Sequence, residues 1–224
     1  TITTNFNSFP ITFEGLRWQA VLKGDGSQQV ALDTVTAEST SDSLDPTSNP
    51  SDIQAYKTNS GDLLGTGDWT NGGSPYFTWD AGSDADSGIL GYCAYLGTDG
   101  AANPITTGGL LGTSPVATGG NCAFIVSSNE LDIALPGMLG TALTTSNDPV
   151  YLTLRSIDRA GNVMNSSVQF SFRFDNTPPT NPSFITAPSG FVNSKDITMT
   201  WPTTGPSAPS DAQSGLTRLQ YRIG

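Results

Sequence analysis

Residues 150–174 carry the clearest alternation of apolar and polar positions in the chain. Val150, Leu152 and Leu154 alternate with Tyr151, Thr153 and Arg155, and Val168, Phe170, Phe172 and Phe174 alternate with Gln169, Ser171 and Arg173. A period of two puts one set of side chains on a buried face and the other toward solvent, as in a β-strand. Asp158-Arg159-Ala160-Gly161-Asn162 lies between the runs, and its Gly and Asn tolerate the positive φ of a tight turn. The stretch therefore predicts a β-hairpin. Asp175-Asn176-Thr177-Pro178-Pro179 follows; a proline pair donates nothing to a ladder and fixes φ, so the strand ends there in a stiff connection.

Shorter runs of the same kind occur elsewhere. Tyr76 to Trp79 predicts a strand with Phe77 and Trp79 as core residues, and further strands are expected over 89–96, 121–126 and 131–135. Residues 97–121 are rich in Gly and Thr and too long for a tight turn, so a decorated loop or irregular short strands belong there. Near the start, Leu16 to Leu22 and Val30 to Thr36 flank Gly24-Asp25-Gly26, another hairpin signal. No window sustains an apolar i, i+3, i+4 pattern, and 25 Gly and 15 Pro favour many short strands joined by turns. The expected fold class is all-β.

The chain also repeats itself. Asp45-Pro46-Thr47-Ser48-Asn49-Pro50-Ser51-Asp52-Ile53 matches Thr177-Pro178-Pro179-Thr180-Asn181-Pro182-Ser183-Phe184-Ile185 at an offset of 132, and Trp79 corresponds to Trp201. Ser83-Asp84-Ala85-Asp86-Ser87-Gly88-Ile89 matches Ser210-Asp211-Ala212-Gln213-Ser214-Gly215-Leu216 at an offset of 127. Three matches in one order predict a tandem array. The expected organisation is the closing strands of one sandwich over 1–40 and a linker over 41–50. A complete unit over 51–175, a linker over 176–182 and the first strands of a second unit over 183–224 follow. On this reading the chain is a segment of something longer.

Charge narrows the partners. The formal net charge is −11, from nine Lys plus Arg against twenty Asp plus Glu, of which all but Glu14, Glu38 and Glu130 are Asp. Nucleic acid and anionic membrane surfaces call for clustered cations, so neither is expected as a partner. No apolar run of 18 residues predicts membrane insertion. With no His, Ser-His-Asp and Cys-His mechanisms and His-ligated metals are excluded. Asp84 and Asp86 share one loop, a poor geometry for a carboxylate pair across a cleft, so no enzymatic activity is expected. Cys93 and Cys122 sit beside two expected neighbouring strands. A disulfide, closing a loop at about 3 kcal/mol, is favoured over two buried thiols in a chain of secreted-type composition. The single sequon, Asn165-Ser166-Ser167, is read as chance.

With the linker, the Trp strand, the Asp-x-x-Ser-Gly loop and the Ala-Gly-Asn hairpin in hand, residues 45–224 resemble bacterial immunoglobulin-like or fibronectin type III-like tandem repeats of large secreted surface proteins of the adhesin type. The resemblance is carried by Trp79, Ser87-Gly88-Ile89, Tyr92, Asp158 to Asn162 and Asn176 to Pro179. Val150 stands where such repeats usually carry a Tyr, and the 97–121 insertion is longer than usual. The resemblance implies immunoglobulin-like β-sandwiches joined by Pro-containing linkers, an extracellular location, and a non-catalytic role as stalk, spacer or adhesin fibre presenting a distal domain. In such a sandwich the linker and the loops at one end converge. The expected Ca²⁺ ligands at the junctions are thus Asp45, Asp84, Asp86 and Asp158, and then Asp175, Asn176 and Asp211, since calcium takes loop carboxylates and carbonyls. Simple turn-capping by these Asp residues is the competing expectation. The alternative functions are a carbohydrate-binding accessory module, with Trp69 as the glycan contact in a platform with Tyr76, Tyr92 and Tyr95, and a self-assembling filament or surface-layer subunit. Expected partners are neighbouring modules, copies of itself, or a glycan or partner cell surface.

Overall fold

Alternation at period two pays off only when a second apolar layer covers the buried face, and the chain supplies two. A computed structural model describes residues 42–112, 121–134 and 139–222, so the hairpin expected within 1–40 lies outside the described residues. Among the described residues there are nine strands and no helix: β1 Ser51–Tyr56, β2 Leu63–Leu64, β3 Trp69–Thr70, β4 Tyr76–Asp80, β5 Ile89–Gly97, β6 Ile125–Val126, β7 Glu130–Asp132, β8 Val150–Asp158 and β9 Val168–Phe174. They form a four-stranded sheet in the order β2-β1-β4-β7 and a five-stranded sheet in the order β3-β9-β8-β5-β6. All neighbours are antiparallel except β3 and β9, which run parallel through Trp69↔Arg173 and Thr70↔Phe174.

The two sheets share one core, an arrangement consistent with a β-sandwich. Ala55, Leu64, Phe77, Trp79 and Leu131 of the first sheet pack in a single cluster with Tyr92, Leu96, Leu152, Leu154, Phe170 and Phe172 of the second. Phe77 is fully buried, with ring centroids 6.1 Å from Phe170 and 6.0 Å from Phe172. The 150–174 hairpin forms with Val150↔Phe172 and Leu154↔Val168 in register, and Gly161 turns it at φ 94°. β8 is buried on both faces, however: Thr153, Ser156 and Asp158 are inaccessible along with the leucines. As the partner of both β5 and β9 it is an interior strand, and polar side chains there must find bonds inside the protein.

Cys93 of β5 and Cys122 are joined in a disulfide with Cα atoms 5.2 Å apart. It closes the Gly/Thr-rich insertion, whose described part folds back through a parallel bridge from Leu96 to Gly109. Residues 176–222 hold none of the nine strands. Their pairing follows the first unit all the same. Thr186 and Thr200 form a two-way bridge, with N–O distances of 2.8 and 2.9 Å, where the sequence repeat places the β1–β4 pair Gln54↔Thr78. Ser183 N donates to Ser207 O at 3.0 Å, at the position of Ser51↔Asp80. Without a second sheet on its apolar face, a pair of strands is marginal, and Ile185, Phe191, Leu216, Leu219 and Tyr221 are exposed.

Candidate functional site

The site lies where residues 42–50 run along the end of β8. Pro46 and Pro50 fix φ and are both buried. Between them Ser48 N donates to Ser83 O at 3.1 Å, Ser83 N to Ser48 O at 3.4 Å, and the two hydroxyls meet at 2.9 Å. Asn49 clamps the other side. Its Oδ1 accepts Ser156 N at 2.9 Å, and its Nδ2 donates to Ser166 O at 2.9 Å. The buried Ser156 hydroxyl donates to Ser48 O at 2.9 Å. Gly82 lies beneath this crossing; a Cβ there would come within 2.6 Å of Ser48 O, so only glycine lets the backbones approach.

At the head of this segment three carboxylates meet. One oxygen from each of Asp42, Asp84 and Asp158 lies within 4.8 Å of the others. Asp84 sits on the loop between β4 and β5, where its Oδ2 accepts Gly88 N at 2.6 Å. Asp158, wholly buried, ends β8; its oxygens accept Asn162 N at 2.9 Å and Asn162 Nδ2 at 2.8 Å. Asp42 Oδ1 accepts Leu44 N at 2.9 Å, whereas Asp42 Oδ2 is buried with no hydrogen-bond partner. The Leu44 N–H, helped by Ser87, holds the Asp42 carboxyl below its ordinary 3.8 against the opposing effect of desolvation. Arg159, on the same turn, spends its guanidinium on Ser87 O at 3.4 Å. Like charges this close repel, and a divalent cation that prefers carboxylate and carbonyl oxygens relieves the repulsion. An orphaned, buried oxygen on one of the three carboxylates fits such an ion.

A second corner has the same plan. Thr180 N donates to Ser210 O at 2.8 Å, the two hydroxyls are 2.9 Å apart, and Asp211 Oδ1 accepts Gly215 N at 2.9 Å. These are the places of Ser48, Ser83, Asp84 and Gly88 under the sequence repeat, and both glycines hold positive φ, 77° and 76°. Asp175 takes the part of Asp42. Its Oδ1 accepts Thr177 N at 2.9 Å and its Oδ2 accepts Ser214 N at 3.1 Å, which lowers its carboxyl below the ordinary 3.8, Thr177 first. The corner frames a cavity of about 340 Å³ lined by Asn71, Asp175, Asp211, Ser214 and Gly215 among others.

The structure thus brings together Asp84 with Asp158, and Asp175 with the Asp211 loop. It does not bring Asp45 to the first corner: Asp45 Oδ2 accepts Asn165 Nδ2 at 2.6 Å instead, and Asp86 is exposed. Asp42, which sequence reasoning passed over, takes that place. Aligning back from Asp175 would have found it, since Asp175 precedes Thr180 by five positions and Asp42 precedes Ser48 by six. Asn176 lines the same cavity, with its Oδ1 accepting Thr145 Oγ1 at 2.6 Å.

The aromatic platform does not form. Tyr92 and Tyr95 are buried; Tyr92 packs edge-on to Trp79 at 5.5 Å and donates to Asn129 Oδ1 at 2.9 Å. Trp69 is half-buried, with the Arg173 guanidinium carbon 5.7 Å from its ring centroid, so a cation–π contact already uses one face of the indole. Comparison with protein-family models, curated proteins and solved structures returns no match.

Proposed function

We propose that this chain is a non-catalytic, load-bearing piece of an extracellular surface protein: immunoglobulin-like units in tandem, each locked to the segment before it and stiffened by Ca²⁺ at the junction. The observation that carries this reading is the recurrence of one lock at two places. Ser48/Ser83 and Thr180/Ser210 make the same crossing, Asp84 and Asp211 cap Gly88 and Gly215 alike, and Asp42 and Asp175 each accept the N–H two residues on. A repeated unit that needs only its neighbours suits reach and stiffness, and Pro46, Pro50 and Pro178-Pro179 remove freedom between units.

At the first junction Asp42, Asp84 and Asp158 would hold the ion, which supplies charge neutralisation and cross-linking between the connecting segment, the β4–β5 loop and the β8–β9 turn. The acids in both corners are engaged by backbone N–H groups, as turn-capping alone requires, and Asp42 Oδ2 is the atom that capping leaves without a partner.

Small-angle scattering in Ca²⁺ and in EDTA, together with a glycan array, tests the reading. The expected result is an extended particle whose dimensions tighten in Ca²⁺ and which retains no glycan. Glycan binding that is lost in Trp69→Ala would replace the stalk by the carbohydrate-binding reading. Concentration-dependent polymers would replace it by the filament.

A further inference from the structure

The two corners differ in how they are filled: the Asp158–Asn162 turn sits in the first, and the second frames a cavity. In the first, the Asp158–Asn162 turn seats against the lock. Arg159 N donates to Gly88 O at 3.0 Å, Arg159 Nη1 to Ser87 O at 3.4 Å, and Asn162 Nδ2 to Asp42 O at 3.3 Å. A Cβ placed on Gly88 would meet Arg159 Nη1 at 2.9 Å, whereas one on Gly215 meets nothing within 4 Å. Among the described residues no donor is paired with Ser214 O or Gly215 O, the counterparts of Ser87 O and Gly88 O. The cavity of about 340 Å³ is lined by Asp175, Asp211, Ser214 and Gly215, the counterparts of Asp42, Asp84, Ser87 and Gly88 that surround the turn in the first corner. Ile185, Leu216, Leu219 and Tyr221 of the same segment are exposed. In the first unit the corresponding strands share one core cluster with Leu152, Leu154, Phe170 and Phe172 of the β8–β9 hairpin, and β5 pairs with β8 directly.

We propose that the Asp175–Asp211–Gly215 corner is a receptor for the turn of a β-hairpin of the β8–β9 kind, one that completes this unit as β8–β9 completes the first. The recognition chemistry is stated by the occupied corner. A backbone N–H and a guanidinium at the second turn position reach Gly215 O and Ser214 O. An Asn side chain reaches the Asp175 carbonyl, and an Asp adds the third carboxylate. Alternating large apolar side chains on the two strands cover the exposed face. The inference rests on the tandem reading above and gives the second corner its partner.

The test is a titration of the ¹⁵N-labelled chain with a backbone-cyclised peptide of residues 150–174, cyclised because an isolated hairpin is marginal in water. Its own NMR spectrum establishes that the peptide is folded. The expected result is saturable shifts at Ser214 and Gly215 with slowed hydrogen exchange at Thr186 and Thr200. Binding should be at least tenfold weaker for a peptide whose Asp158–Asn162 turn is replaced by Gly and Ser, and for Asp175→Ala in the protein. Four results would overturn the inference: no shifts with a folded peptide, equal binding by the turn-replaced peptide, unchanged binding by Asp175→Ala, or shifts at Ser214 and Gly215 produced by Ca²⁺ alone and untouched by peptide. The amides of Asp84 and Gly88 act as an internal reference. If the hairpin fails to bind while those amides still respond to Ca²⁺, the receptor inference falls and the tandem reading stands.

Discussion

Tyr76 and Glu130 show how a single polar contact sets a measurable property. The Tyr76 hydroxyl donates to Glu130 Oε2 at 2.5 Å, and that bond, with the nearby carboxylate charges and burial, pushes the phenol up from 10.0 to about 12. The protonated phenol is the form that folding favours, so this stabilisation is complete below pH 10 and fades as pH rises toward about 12. An absorbance titration should show one of the six tyrosines ionising near 12, and Glu130→Gln should return it toward the ordinary value. The acids of the two corners behave in the opposite sense. Asp42 and Asp175 are both held below 3.8, so folding favours their charged forms. Their contribution is present above pH 3.8 and is lost as pH falls below it. A melt series should therefore be flat from neutral pH down to about 4 and fall only in stronger acid. At this scale the sequence disclosed residue types better than partners. Asp84 and Asp158 are recognisable because Ser-Gly and Gly-Asn follow them in turn-forming patterns. Asp42 is not, because its role depends on where a segment without periodicity is pinned to β8, at Asn49 against Ser156, 107 positions apart in sequence.

The elements were legible in proportion to their length. β5, β8 and β9, of nine, nine and seven residues, carry enough alternation to be read directly. β2, β3 and β6, of two residues each, carry no period at all, and the parallel pairing of β3 with β9 is a tertiary choice that no local pattern encodes. Thr153 reads as solvent-facing and is buried, because strand order within a sheet is invisible to a period-two argument. Three variants probe this level. Phe77→Ala empties the space between the sheets and should cost about 3–5 kcal/mol in a denaturant melt. Asn49→Ala strands the buried Ser156 N–H and should cost about 1–3 kcal/mol, with faster hydrogen exchange at Ser156 as the local readout. Replacing Cys93 and Cys122 by Ser reopens a loop with a sequence separation of 29 and should cost about 3 kcal/mol.

At the scale of the whole molecule, what matters is that the same lock occurs twice. The internal repeat was readable as three short matches: two fall on the Ser48/Ser83 and Thr180/Ser210 crossings, and the third pairs Trp79 of β4 with Trp201, which lies outside the nine strands. Their physical logic is local. Ser and Thr make the crossing, Asp caps the loop, and Gly at positive φ leaves room for what docks there. The net charge of −11 adds a reason for a cation at the acid-lined junction, since a compact acidic chain repels itself.

The most direct test of this account is a calorimetric melt in millimolar Ca²⁺ and in EDTA, run on the natural chain and on Asp42→Asn with Asp84→Asn, changes that keep side-chain shape while removing charge. Calcium at a hundredfold over its dissociation constant stabilises by about 2.7 kcal/mol, so the natural chain should melt several degrees higher in Ca²⁺, and the double variant should not respond. Identical melts of the natural chain in Ca²⁺ and EDTA would contradict the claim that the junction is locked by a cation, and would leave the two corners as turn caps held by serine, threonine and proline alone.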